Sequence, residues 1–174
     1  HLGVRRQRQM CIRDSYQRTT LIMIKEGQKL PSFKLKNQKD EEVKFPTKED
    51  TVIYFYPKAD TPGCTKESCD FQSNLRKLNN LKVTVYGISK DTVQKQNKFA
   101  EKYKLKFDLL SDESDKICEK FGVWIKKSMY GRTYKGIDRS TFLIMKGKVV
   151  KVWRKVKVNN HVEEVIDTIK QMNK

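Results

Sequence analysis

Six consecutive residues, Thr51-Val-Ile-Tyr-Phe-Tyr56, are β-branched or aromatic, and Pro57 follows directly. Such a run is a strand apolar on both faces, which belongs in the middle of a sheet covered on either side by other layers. Proline lacks the N–H that a ladder needs, so the strand ends there. After the break Thr61-Pro62-Gly63, apolar residues recur at Phe71, Leu75 and Leu78, steps of four and three that predict a helix from Cys64 to about Leu78.

The same alternation continues along the chain. Val83–Ile88 and Phe107–Leu110 read as strands, Val93–Tyr103 and Ser114–Phe121 as helices. Phe33 with Leu35 and Val43 with Phe45 form a small hairpin about the polar turn Asn37–Glu41. Ser140–Met145 and Val149–Trp153 form a second hairpin about Lys146-Gly-Lys148, and a helix from about Asn160 to Gln171 follows. This order predicts an α/β fold: a central mixed β-sheet flanked by helices, with an N-terminal β-hairpin. A chain of 174 residues suits one such domain, which can bury roughly 70% of its unfolded surface.

Residues 1–22 stand apart, with five arginines against Asp14 and no sustained apolar period. They resemble translated vector sequence ahead of a natural start at Met23, so the domain is expected over residues 23–174; a basic targeting arm is the competing reading. The net charge of +17 promotes weak binding to polyanions. Lysines alternate with acids, as in Lys98-Phe-Ala-Glu-Lys-Tyr-Lys104, which reads as a solvated surface rather than a nucleic-acid stripe. Apolar runs fall well short of the ~20 residues that span a bilayer, and four cysteines without framework spacing argue against a disulfide-stapled secreted module. A cytoplasmic protein is expected, with neither a membrane span nor a specific nucleic-acid partner.

The chemically informative segment runs from Tyr56-Pro57 through Thr61-Pro-Gly-Cys64 to Cys69, between the buried strand and the amphipathic helix. It places Cys64 in the first helical turn, where unpaired N–H groups and the positive end of the helix dipole favour a thiolate, the reactive nucleophile. An inert buried thiol is the alternative. Cys69 adds weight, because a second thiol nearby can capture an oxidised cysteine before further oxidation. A metal site fits poorly: the five-residue step is not a usual zinc spacing, and His1 and His161 are badly placed as ligands. Cys118, beside Ile117, reads as an inert core thiol, and Cys11 falls in the excluded segment.

The order Pro57, Thr61, Cys64 resembles the Pro-x-x-x-Thr-x-x-Cys signature of peroxiredoxins. The longer string Tyr54-Phe-Tyr-Pro-Lys-Ala-Asp-Thr-Pro-Gly-Cys-Thr-Lys-Glu-Ser-Cys69 is similar to the subgroup called bacterioferritin comigratory protein, or peroxiredoxin Q. The likeness extends through Leu109–Glu113, Phe121-Gly-Val-Trp124 and Gly136–Ile144, and so covers residues 24–172. It implies a thioredoxin-like fold and a monomeric, cofactor-free thiol peroxidase acting on hydrogen peroxide and organic hydroperoxides, recycled by thioredoxin or a similar dithiol.

By the same resemblance, Cys64 is the peroxidatic cysteine and Cys69 the resolving one, joined in an intramolecular disulfide. Arg139 is the active-site arginine, Thr61 hydrogen-bonds thiolate and peroxide, and Pro57 shields the pocket. Position alone gives Arg139 no such role, since an arginine before a strand is ordinarily solvated. Two rivals remain. A protein dithiol–disulfide oxidoreductase of the same fold usually carries Cys-x-x-Cys, a shorter step than this one. A basic binding protein with incidental cysteines is the other.

Overall fold

The computed structural model describes residues 24–114 and 116–173; the basic segment 1–22, with Cys11, lies outside the described residues. The strands are β1 Phe33–Lys36, β2 Glu42–Phe45, β3 Asp50–Phe55, β4 Val83–Ser89, β5 Asp108–Ser111, β6 Trp124–Met129, β7 Arg132–Ile137, β8 Ser140–Met145 and β9 Lys148–Trp153. The helices are α1 Pro62–Ser73, α2 Leu75–Asn80, α3 Val93–Tyr103, α4 Lys116–Lys120 and α5 His161–Met172. Seven strands form one mixed sheet in the order β2-β1-β5-β4-β3-β8-β9, and β6 pairs with β7 separately. Strands β3, β4 and β5 are parallel, while β8 runs antiparallel to β3.

The expected α/β sheet and N-terminal hairpin are both present, and β3 takes the central place that its composition predicts. Alternate side chains of β3 divide between two cores. Val52, Tyr54 and Tyr56 join Cys64 and Phe71 from α1, Phe99 from α3, and Val165 and Ile169 from α5. Ile53 and Phe55 join Phe33, Phe45, Phe121 and Phe142 on the opposite face. Each large apolar side chain withdrawn from water contributes ~1.5–3 kcal/mol, so this doubly covered strand holds both layers.

Two features differ from the sequence expectation. The helix predicted to reach Leu78 is interrupted at Asn74, which leaves helical geometry at φ −104, ψ 7. Both the backbone N–H and the Nδ2 of Asn74 donate to the Asp70 carbonyl, at 3.2 and 2.9 Å. The local competition of an asparagine side chain for backbone acceptors is invisible to an apolar period, which Leu75 and Leu78 still satisfy. The β6–β7 hairpin was not anticipated at all, because Lys126, Lys127 and Ser128 break the apolar alternation.

Gly87 in β4 faces Tyr54, whose fully buried ring stacks on Phe71 at 4.6 Å. A Cβ there would lie 2.8 Å from the Tyr54 hydroxyl and 2.9 Å from Leu109 Cδ2. Gly87→Ala is therefore expected to destabilise the domain by about 1–3 kcal/mol in urea unfolding. An unchanged midpoint would show that the Tyr54 ring has room to move.

Candidate active site

The loop between β3 and α1 is tied down before the helix begins. Asp91 Oδ2 accepts the Ala59 N–H and the Ser89 hydroxyl, each at 2.7 Å. Gln96 Nε2 donates to Ser89 Oγ at 2.8 Å and to the Leu110 carbonyl at 2.9 Å, while its Oε1 accepts the buried Tyr56 hydroxyl. On the outer side Asp60 accepts from Tyr103 Oη at 2.7 Å and Lys102 Nζ at 3.0 Å, and these donors lower its pKa. Thr61 then takes the extended N-cap conformation with Pro62 at the helix start, a position where proline loses no hydrogen bond. Cys64 consequently sits in the first turn of α1 and is 1% exposed.

Arg139 reaches Cys64 through the sheet. In the antiparallel β3–β8 register Phe55 lies opposite Ser140, so the residue before β8 is brought to the end of β3 from which α1 departs. Arg139 Nη2 donates to Cys64 Sγ at 3.3 Å, and Nη1 contacts Glu67 Oε1 at 3.0 Å. Gly63 leaves room for this approach, since an added Cβ would stand 3.0 Å from Nη2 and press on the guanidinium.

Glu67 completes the cluster. Its side chain is wholly buried, Oε1 is held by Arg139, and Oε2 has no hydrogen-bond partner. Burial pushes its carboxyl up to about 7, against the opposing pull of Arg139. Burial also works against the charge on Arg139, but Glu67 and Cys64 outweigh it and raise that pKa. With only one oxygen in contact with the guanidinium, the rise on Glu67 dominates.

Of the residues singled out from the sequence, Cys64 and Arg139 are in contact. Pro57 is half-buried at the end of β3. Thr61 Oγ1 donates its single proton to the Lys58 carbonyl at 2.8 Å, which leaves it lone pairs to offer rather than a proton. Cys69 is half-buried further along α1, and partial burial followed by Asp70 raises its thiol pKa. Cys118 is fully buried in the second core, as a core thiol should be. Glu67 was missed, because a glutamate between Lys66 and Ser68 on an amphipathic helix reads as solvated. Its three-residue step from Cys64, which places both on one helix face, was the available signal.

A buried thiol at a helix start, in contact with a half-buried arginine on a thioredoxin-like sheet, fits the thiol peroxidase class. The AhpC/TSA family profile matches residues 26–152. Peroxiredoxin Bcp of Bacillus subtilis is 46% identical over 155 residues, covering 87% of this chain and 99% of its own. Peroxiredoxin Bcp of Escherichia coli K12 is 43% identical over 151 residues, covering 85% and 97%. Among solved structures, the peroxiredoxin Q of Xylella fastidiosa superposes with a TM-score of 0.83 at 34% identity, covering 87% and 98%. The bacterioferritin comigratory protein of Xanthomonas campestris, described with its alkyl peroxide reduction activity, gives 0.78 at 36%, covering 82% and 92%. The chain belongs to the AhpC/TSA family, in its Bcp/PrxQ subfamily of peroxiredoxins.

The raised Glu67 pKa carries a pH signature. The folded protein holds this proton more tightly than the unfolded chain, so the stability it contributes is fully present below the ordinary value of 4.5 and is lost as pH rises through about 7. Between those limits the wild type is expected to lose on the order of 2 kcal/mol relative to Glu67→Gln in urea unfolding. Parallel pH profiles for the two proteins would show that Glu67 does not titrate in this window.

Proposed function

We propose that Cys64 reduces hydrogen peroxide and organic hydroperoxides. The Cys64 thiolate attacks the terminal peroxide oxygen, the O–O bond breaks, and the electron pair leaves on the second oxygen, which takes up a proton and departs as water or an alcohol. Cys64 is left as a sulfenic acid. The observation that carries this reading is the 3.3 Å charge-assisted contact from Arg139 Nη2 to Cys64 Sγ at the first turn of α1. A fixed cation and helix-start N–H groups lie where negative charge develops, and need no reorganisation as the bond breaks. Thr61 supplies an acceptor for the O–H of the incoming hydroperoxide, and Pro57 keeps water from the sulfur. The alkyl peroxide reduction of the Xanthomonas relative supports organic hydroperoxides as substrates.

Cys69 then attacks the sulfenic sulfur, forming an intramolecular Cys64–Cys69 disulfide and releasing water, and thioredoxin or a similar dithiol restores both thiols by exchange. The disulfide requires α1 to open. Five residues along a helix place two Cα atoms roughly 8–9 Å apart on different faces, beyond the ~7 Å that a disulfide spans. Both cysteines lie on α1. The stretch between them is held by the 2.8 Å hydrogen bond between Tyr54 Oη and Ser68 Oγ and by Glu67–Arg139, so opening breaks named contacts.

Cys64→Ser is expected to abolish peroxide turnover in stopped-flow assays with a thioredoxin system, and Arg139→Ala to slow the first oxidation on the order of 10²-fold with the fold retained. Near-wild-type turnover in the first variant would refute the assignment. An unchanged rate constant in the second would remove Arg139 from the site.

Amide hydrogen exchange over residues 64–75 is expected to rise on oxidation, with mass spectrometry confirming the Cys64–Cys69 bond. Equal protection in both redox states, with that bond formed, would overturn the opening of α1.

A further inference from the structure

The β6–β7 hairpin carries outward side chains that the fold leaves unexplained. It forms its own two-stranded sheet. Of the four exposed large hydrophobic residues among those described, three lie on it: Tyr130 at 98% exposed, Met129 at 56% and Tyr134 at 44%. Tyr130 occupies the turn with φ +52, a left-handed conformation that a bulky residue adopts only with strain, so its place at the tip is not dictated by backbone preference.

Charge on the hairpin is one-sided. Lys126, Lys127, Arg132 and Lys135 face no acidic residue anywhere between Trp124 and Ile137. In the register of the two strands Lys126 stands directly opposite Lys135, both exposed, a like-charge pair that destabilises a ribbon taken by itself. The hairpin thus carries its cations behind an apolar tip. At ~3.3 Å per residue, the lysines of β6 lie roughly 10–13 Å back from Tyr130.

We propose that this hairpin docks the protein onto anionic lipid bilayers, with Met129 and Tyr130 entering the interface and the lysines meeting headgroup phosphates. A convex tip of thioether and phenol carrying a cationic collar has the order of a lipid interface, apolar region first and phosphate layer behind. An anionic bilayer relieves the Lys126–Lys135 repulsion and, being extended, also attracts the rest of a chain with net charge +17. The hairpin leads through Ile137 to Arg139, so docking tethers the domain that carries the peroxidase site to a membrane, whose acyl chains are the source of lipid hydroperoxides. The docking does not depend on the resolving role of Cys69.

The test uses the full chain and sedimentation with phosphatidylcholine vesicles with and without phosphatidylglycerol. The wild type is expected to bind only the anionic vesicles, more weakly as salt rises. Lys126→Glu places opposite charges across the ribbon, so its melting temperature should hold or rise while vesicle affinity falls by roughly tenfold or more. Met129→Ser with Tyr130→Ser should weaken binding several-fold and leave turnover of hydrogen peroxide unchanged. Failure to bind anionic vesicles, or affinities unaltered by either change, overturns the proposal. Loss of single-stranded oligonucleotide binding in the tip variant, with vesicle binding intact, overturns it in favour of a nucleic-acid partner.

Discussion

Because Val52, Ile53, Tyr54 and Phe55 are all fully buried, β3 cannot lie at an edge, and the strands on either side of it are constrained together. Parallel β4 on one flank continues the alternation of strand and helix, and antiparallel β8 on the other returns the chain to the point where β3 ends. That end is where Pro57 stops the strand and α1 begins. The antiparallel pairing therefore delivers Arg139, 75 residues from Cys64 in sequence, to the sulfur, where Glu67 holds its other nitrogen. Shifting β8 by one residue would reverse its side chains between the two cores, so apolar packing itself fixes the register that places the guanidinium.

The charges at the site are few and closely confined. Arg139 is shared between Cys64 and Glu67, with the carboxylate on its own nitrogen and the sulfur on the other. Glu67 thereby orients the guanidinium while remaining costly to ionise, because its second oxygen is buried without a partner. This pair and the Tyr54–Ser68 hydrogen bond hold the first turns of α1 against the sheet, and these are the contacts that the proposed opening would break. The interruption at Asn74 separates α1 from α2, which is anchored through Leu78 in the core.

The hairpin of β6 and β7 follows a different logic from the sheet. It adds cations and exposed aromatic surface where the core has no need of them, yet its far end feeds directly into the segment that carries Arg139. Catalytic machinery and surface recognition are thus adjacent in the chain but separate in physical origin. One is set by burial on both faces of β3, the other by cations that meet no acidic residue within the hairpin.

Much of the fold was legible in the residues themselves. The run 51–56 identified a central strand because its apolar character allows no other placement, and Thr61-Pro62-Gly63 identified the helix start that presents Cys64. The likeness to peroxiredoxins rested on the spacing of Pro57, Thr61 and Cys64, which is local and therefore readable. What lay beyond reading was non-local. The contact of Arg139 with Cys64 depends on the β3–β8 register, and the role of Glu67 depends on its burial against that arginine. The direction of the Thr61 hydroxyl toward Lys58 depends on loop geometry set by Asp91. The opposition of Lys126 and Lys135 depends on a hairpin with no apolar period to announce it. Sequence determines which segments bury themselves, because burial follows side-chain chemistry along the chain; tertiary structure alone decides which charges meet, because their energies depend on distances that only packing sets.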